Sequence, residues 1–141
     1  MIEKTINDLN LGERAKFSKT ISESDIYLYA GITGDFNPVH INKEYAKNTF
    51  FKKRIAHGML IVGFISTVIG TKLPGYGTIY ISQHLNFIAP AYIGDTVTTT
   101  VEIVDILLER NRVKLRTICK NQNEDIILSG EAVVSPSKIK C

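Results

Sequence analysis

The chain has 141 residues, of which 44% are hydrophobic and 22% charged, and its formal net charge is +3. This length predicts one globular domain over residues 1–141, because it suffices for one hydrophobic core and is short for two. Apart from one run at residues 52–54 the basic residues are scattered, and the uncharged, mainly apolar stretch at residues 56–71 is short for a bilayer and holds three glycines. We therefore expect neither nucleic-acid binding nor membrane insertion.

The two cysteines, Cys119 and Cys141, are widely separated in the sequence. Such a pair indicates neither a disulfide framework nor a metal-binding cluster. No apolar signal region follows the charges of the first residues, 1–5. The sequence therefore predicts a reduced, cytoplasmic protein without a metal site.

The first half of the chain is typical of helices and loops. Residues 14–21 favour a first strand, and Ser22 with Asp25 three residues later has the pattern of a capping box at the start of a helix. Further along, Asn42 can cap a short second helix that runs through residue 48.

The second half begins with a long helix and continues as strands. Residues 58–72 are almost wholly apolar, and apolar side chains on every face of a helix predict burial on all sides. Pro74 and Gly75 oppose its continuation. Three or four strands rich in β-branched residues follow, over residues 78–87, 96–107, 112–121 and 125–134.

This order of elements predicts an α+β fold in which an antiparallel sheet encloses a long central helix. A sheet of so few strands is too small to wrap the helix alone. We therefore expect a dimer in which the sheet continues from one subunit to the other.

Asp35 and His40 are five residues apart across the Asn37-Pro38 turn. A turn can fold a carboxylate and an imidazole toward one water molecule, as a general acid/base pair requires. Asn37 can brace that turn by hydrogen bonds to nearby backbone, and Pro38 fixes its shape. On spacing alone the plainer interpretation is favoured, in which Asp35 caps a turn and His40 is a hydrogen-bonded loop histidine.

The start of the long helix is a second candidate feature. Gly58 is predicted to begin this helix, where free backbone N–H groups and the positive end of the helix dipole point outward. A carbonyl oxygen bound there would be stabilised as it gains negative charge. The alternative is that Gly58 only allows tight helix entry. His57 is interpreted as structural. Ser66 is expected to donate to a carbonyl of its own helix, or else to face a cavity and touch substrate or water.

Several blocks of the sequence resemble one family. The segment at 29–40, Y-A-G-I-T-G-D-F-N-P-V-H, followed by Ala46, resembles the signature of the MaoC-like or hydratase 2 family, the (R)-specific enoyl-CoA hydratases. The segment at 55–60, I-A-H-G-M-L, is similar to the block that opens the central helix of that family. The likeness continues at residues 73–87, Pro90, Gly94-Asp95 and 130–134, and so covers nearly the whole chain.

The resemblance implies a hot-dog fold, in which a long helix is wrapped by an antiparallel sheet, in a homodimer. It implies reversible syn hydration of a trans-2-enoyl-CoA to an (R)-3-hydroxyacyl-CoA, without a metal or redox cofactor. Asp35 and His40 match the catalytic pair of the family, and Gly58 matches the donor to the thioester oxygen. Ser66 matches a serine that helps to order the site, and we include Asn37 among the substrate-binding candidates.

Two further predictions concern the coenzyme A thioester. Ile69 and Val133 are candidates for the apolar wall of the acyl pocket, although plain core packing is the commoner role of such residues. The basic run Lys52-Lys53-Arg54 is interpreted as a solvated turn, with a patch that meets the phosphates of coenzyme A as the alternative.

Three other functions remain open at this point. A hot-dog thioesterase uses the same fold on the same thioesters, but the Asp-x-Asn-Pro-x-His turn is not its usual motif. An acyl-carrier-protein dehydratase differs in its carrier. A non-catalytic acyl-CoA-binding dimer is disfavoured because both Asp35 and His40 are present.

Overall fold

The computed structural model describes residues 3–140. Each predicted element is present, with ends within two residues of those expected, and a single helical turn, α2, follows the Asn-Pro step. Short 3-10 turns occur at Ile6–Asp8 and Leu108–Arg110. The elements are β1 (Arg14–Thr20), α1 (Glu23–Thr33), α2 (Pro38–Ile41), α3 (Lys43–Ala46), α4 (Gly58–Thr71), β2 (Ile79–Phe87), β3 (Thr96–Leu107), β4 (Arg112–Lys120) and β5 (Ile126–Ser135).

The five strands form one antiparallel sheet in the order β1-β3-β4-β5-β2. Alternate residues of the central strands point to one face and are buried, because successive side chains of a strand point to opposite sides. On β4 this face carries Val113, Leu115, Thr117 and Cys119, all fully buried. Helix α4 packs against this face, mainly on β3. The α+β arrangement predicted from the sequence is confirmed.

Helix α4 is buried on one side only, and the prediction of burial on all sides is wrong for the single chain. Its inner side carries Ile61, Phe64, Ile65, Val68 and Ile69, which are at most 6% exposed. A second stripe, formed by Met59, Gly63 and Ser66, is exposed, and Met59 is 57% accessible. The spacing of four and three residues places the stripe on one face of the helix. The five strands lie along the opposite side and leave this stripe uncovered.

Strand β2 lies at one edge of the sheet and pairs only with β5 among the described residues. Large apolar side chains of β2 are exposed, including Ile79 (62%), Ile81 (48%) and Phe87 (57%). An edge strand with unpaired backbone groups and apolar side chains is a template for pairing with another chain.

Cys119 lies in the core, where burial raises the pKa of its thiol to about 11 against the opposing effect of a hydrogen bond with the Thr99 hydroxyl. A thiol of this kind is inert. The predictions about Cys141 and about the first two residues fall outside the described part of the chain. Within residues 3–140, none of the helices has the length and hydropathy needed to cross a membrane.

Candidate active site

Asp35 is positioned by the end of helix α1. The helix begins at the predicted capping box, in which the Ser22 hydroxyl accepts from the Asp25 N–H and the Asp25 carboxylate accepts from the Ser22 N–H. It ends at Gly34, whose φ of +81° suits glycine. Asp35 follows at once and is exposed, and its Oδ1 accepts from the Asn37 N–H at 3.2 Å. One carboxylate oxygen is thus held, and the other has no partner among the described residues.

The Asn-Pro step starts helix α2. The Asn37 side-chain oxygen accepts from the Val39 N–H at 3.2 Å, and Pro38 occupies the first helical turn, where its missing N–H costs nothing. The prediction that Asn37 braces the turn is confirmed. Within one turn the chain delivers His40 to the interior, where it is 8% exposed.

His40 has a defined proton arrangement. Its Nδ1 lies 2.7 Å from the Ile55 carbonyl oxygen, which can only accept, so Nδ1 carries the proton. Burial lowers the pKa of His40, and the neighbouring His57 lowers it further, against the opposing effects of the Ile55 carbonyl and the Asp35 carboxylate. At neutral pH the ring is therefore uncharged, and its Nε2 is free to accept a proton.

His57 connects the two candidate catalytic residues. Its ring stacks on His40 with centroids 3.9 Å apart and an interplanar angle of 29°, and Tyr29 packs on it at 4.6 Å. Its Nε2 donates to the Asp35 backbone oxygen at 3.0 Å, whereas its buried Nδ1 has no partner among the described residues. The sequence interpretation treated His57 as structural and missed its place in the site. Its position next to Gly58 was the available signal.

The donor atoms of Asp35, His40 and His57 lie within 4.8 Å of one another, which is a spacing that a metal ion would need. Imidazole lone pairs lie in the plane of the ring. Because the two rings are stacked face to face, their lone pairs point side by side rather than at a common point. The cluster therefore suits acid/base chemistry better than metal binding.

Gly58 is the first residue of α4. No side chain caps this helix end, and the Gly58 N–H has no acceptor among residues 3–140. A Cβ added to Gly58 would lie 2.7 Å from the Phe87 ring, so the glycine also permits close packing against β2. A free donor and the positive end of a helix dipole thus adjoin His57, as stabilisation of a carbonyl oxygen requires.

Ser66 differs from the sequence expectation. Its hydroxyl makes no hydrogen bond to a described residue, so the predicted bond to its own helix is wrong. Thr67 makes that type of bond instead, to the Gly63 carbonyl. Ser66 is exposed, and eight residues of helix separate it from Gly58 by about 12 Å along the axis. The two cannot contact one carbonyl group within a single chain.

The two acyl-pocket candidates lie on opposite faces of the sheet. Ile69 is 2% exposed on the inner side of α4, in the core between the helix and the sheet. Val133 is paired with Lys114 and lies between Ala132 and Val134, which both face the core, so its own side chain points to the other face. Because register decides the face, the two side chains line no common surface within a single chain, and their place in an acyl pocket stays a prediction.

An apolar cavity beside Gly58 was missed by the sequence analysis. It has a volume of about 360 Å³. Phe87, Ile88 and Pro90 line it from β2 and the following loop, and Ile55 and Ala56 line it from the segment before α4. Exposed Phe50 (90%) and Ile88 (56%) stand at its edge. The sequence signal for this cavity was the set of apolar residues in the loops before α4 and after β2, such as Phe50, Phe51, Ile88 and Pro90.

Comparisons with a family profile and with known sequences indicate the same family. A MaoC like domain profile matches residues 8–125. The (R)-specific enoyl-CoA hydratase of Rhodospirillum rubrum is 53% identical over 127 residues, which cover 90% of this chain and 88% of that protein. The 3-hydroxybutyryl-CoA dehydratase of Methylorubrum extorquens is 46% identical over 131 residues, which cover 93% and 83% respectively.

The fold is also that of a solved relative. The structure of the R-hydratase PhaJ1 of Pseudomonas aeruginosa matches with a TM-score of 0.91 and 40% identity, over 97% of this chain and 88% of that one. The hot-dog fold implied by the sequence resemblance is thereby confirmed. With its profile match over most of the length and these identities, the chain belongs to the MaoC-like domain family.

Proposed function

We propose that this chain is an (R)-specific enoyl-CoA hydratase, a hydro-lyase that adds water reversibly to trans-2-enoyl-CoA and forms (R)-3-hydroxyacyl-CoA. The observation that carries the proposal is the convergence of the Asp35 carboxylate and the His40 ring beside the free N–H of Gly58. The identity to curated hydratases supports the same reaction.

The geometry supports this reaction. Conjugation with the thioester makes C3 of the substrate electrophilic, and the Gly58 N–H stabilises the negative charge that moves onto the thioester oxygen. Asp35 and His40 hold the water between them and take one of its protons as its oxygen bonds to C3. The pair then returns a proton to C2 on the same face, which gives syn addition. Since the two groups are coupled, the proton belongs to the pair rather than to either residue.

Asn37 and Ser66 have supporting roles in this proposal. Asn37 already uses its side-chain oxygen to cap α2, so it acts by fixing the turn that carries Asp35 and His40. The distance from Ser66 to Gly58 in one chain favours a role for Ser66 in the site of a second copy.

A homodimer is part of the proposal. It is supported by the unpaired edge and exposed apolar side chains of β2, together with the exposed stripe of Met59, Gly63 and Ser66. Light scattering coupled to gel filtration should give a mass of twice the 15.7 kDa chain. A mass equal to that of one chain would reject the dimer.

No metal or redox cofactor takes part in the proposed reaction, and the coenzyme A thioester is the substrate. Hydration polarises a conjugated bond and moves protons, which carboxylate, imidazole and backbone N–H groups accomplish. Activity should therefore survive exhaustive dialysis against a chelator. We place the enzyme in the cytoplasm, in keeping with the free thiol of Cys119.

The decisive experiment follows the loss of enoyl absorbance when crotonyl-CoA is added to the purified protein. The product is then tested with (R)-specific and (S)-specific 3-hydroxyacyl-CoA dehydrogenases, and free thiol is measured in parallel. We expect only the (R) product, no thiol release, and loss of activity in Asp35→Asn. The matched control is Asp105→Asn, which changes an exposed aspartate on β3. Thiol release instead of hydration would favour a thioesterase.

A further inference from the structure

Positive charge is concentrated in one short segment of the chain. Residues 43–54 hold five of the seventeen lysines and arginines and a single carboxylate, Glu44, so the rest of the chain is close to neutral. The sequence showed only the run at 52–54. In the folded chain these side chains surround a cleft of about 310 Å³ at the end of α3, lined by Lys43, Lys47, Lys52, Lys53 and Arg54 with Tyr92 and Ile93.

Part of this charge has a partner and part has none. The Arg54 guanidinium is paired with Glu23, and Lys47 is paired with Glu44. Lys52 and Lys53 form no ion pair with any residue that the structure describes. The Lys53 ammonium lies 4.6 Å from the centre of the Tyr92 ring, an arrangement that orients the side chain over the cleft. Unpaired lysines around one concave surface form a site for an anion.

The lysine cleft is continuous with the cavity beside Gly58. Ile88, Ala89 and Pro90 line both that cavity and a neighbouring hollow. Lys53 and Tyr92 line both this hollow and the lysine cleft. Lys53 precedes Gly58 by five residues, so their Cα atoms lie within about 18 Å. A continuous path therefore leads from the end of α4 to the basic cleft. It is apolar beside Gly58 and polar in the hollow, where amide side chains and the carboxylates of Asp95, Glu124 and Asp125 also lie.

The proposed reaction determines which end of the substrate enters this path. The inference therefore rests on the proposed function. With the thioester oxygen at the Gly58 N–H, C3 must lie toward Asp35 and His40. The sulfur then points the opposite way. The cavity is lined by Gly58, Ile55 and Ala56 and not by His40 or His57, so it can receive the group beyond the sulfur. From the sulfur, coenzyme A continues as a largely uncharged arm that ends in phosphate groups.

We propose that Lys43, Lys47, Lys52 and Lys53 bind the phosphates of coenzyme A, while the apolar cavity from Phe87 to Pro90 holds the arm between thioester and phosphates. The lysine cleft thereby selects the coenzyme A thioester over substrates that lack these phosphates. This assignment favours the second interpretation of the basic run, as a patch that meets the phosphates of coenzyme A, over the solvated turn.

The first test measures binding by calorimetry, with free coenzyme A and pantetheine as probes and without turnover. The variant is Lys52→Gly with Lys53→Ala, since Lys52 has a φ of +65° that glycine adopts without strain. The control, Lys138→Ala with Lys140→Ala, removes the same charge from exposed positions outside the cleft. We expect the cleft variant to bind coenzyme A about tenfold more weakly and pantetheine unchanged. Equal binding of coenzyme A by the variant and the wild type would overturn the proposal.

The second test separates this inference from the proposed function. In hydration of crotonyl-CoA, the cleft variant should show a KM raised about tenfold with unchanged kcat, and no change with crotonyl-pantetheine. Added salt should raise the wild-type KM for crotonyl-CoA and affect the variant less. If the chain hydrates neither substrate, the proposed function fails, and the calorimetry still decides the phosphate site. A loss confined to crotonyl-acyl-carrier protein would overturn the inference in favour of a carrier-protein surface.

Discussion

Gly130 on β5 provides a sharp test of the packing that holds the site. A Cβ added there would lie 1.9 Å from the carbonyl oxygen of His84 on β2, and this contact is with backbone rather than with a flexible side chain. Real Cβ contacts essentially never fall below 3.0 Å, so β2 and β5 would have to separate by about 1 Å in Gly130→Ala. Gly130 pairs with Leu85 in the middle of this ladder.

The cost can be estimated from the contacts that must change. Overpacking in a tight site costs about 1–3 kcal/mol, and each weakened ladder hydrogen bond adds about 0.5–1.5 kcal/mol. We expect Gly130→Ala to lower the free energy of unfolding by about 3 kcal/mol. For a domain of this size the corresponding fall in Tm is about 10 °C. Because β2 also carries Phe87 against Gly58, hydratase activity should fall with it.

The assay is urea denaturation followed by circular dichroism, at one fixed protein concentration because a dimer couples stability to concentration. The matched control is Gly31→Ala in helix α1, where an added Cβ meets no atom within 4 Å. This control should be stabilised by about 0.5–1 kcal/mol, since alanine is the better helix former. The reasoning fails if both alanine variants shift stability by the same small amount.

Three further results are expected. The pKa of His40 is lowered, so a pH–rate profile should show a steady kcat/KM at neutral pH. The value should fall only as the pH drops below the ordinary histidine pKa of 6.5, when Nε2 becomes protonated. A fall that begins above pH 7 would contradict this. His57→Phe keeps the ring stack on His40 and removes the hydrogen bond to the Asp35 carbonyl. Steady-state kinetics should therefore show kcat lowered about tenfold with KM little changed. Full activity would show that His57 does not position Asp35 and His40. Ile69→Ala should lower the free energy of unfolding by about 2–4 kcal/mol. Hydration rates on enoyl-CoA substrates of increasing chain length test whether Ile69 also lines the acyl pocket. An unchanged chain-length preference in the variant would reject that role.

The local parts of the structure were predictable from the sequence because near neighbours in the chain determine them. The capping box of Ser22 and Asp25, the end of α1 at Gly34 and the Asn37 cap all depend on backbone groups within four residues. The limits of α4 and of the strands follow from hydrophobic periodicity and from turn residues. The proximity of Asp35 and His40 was predictable for the same reason, since one short turn carries both residues.

The partnership of His57 with that turn depended on tertiary structure. His57 is seventeen residues from His40, and only the packing of α4 against the rest of the fold stacks the two rings. Proximity of this kind has no local signature, so the sequence interpretation left His57 out of the site. The same holds for the apolar cavity, whose walls come from the segment before α4 and from the loop after β2.

The sequence by itself determined the order of elements, the central helix and the chemistry of the Asp-x-Asn-Pro-x-His turn, because short-range hydrogen bonds and periodicity encode these. Tertiary structure decided which face each residue occupies. Strand register turned Val133 away from Ile69, and the placement of one sheet on one side of α4 left Met59 and Ser66 exposed. The fold also placed the lysines of residues 43–53 against Tyr92 and Ile93, which close the cleft from a distant segment. These outcomes depend on contacts between distant segments, which a pattern read along the chain does not contain.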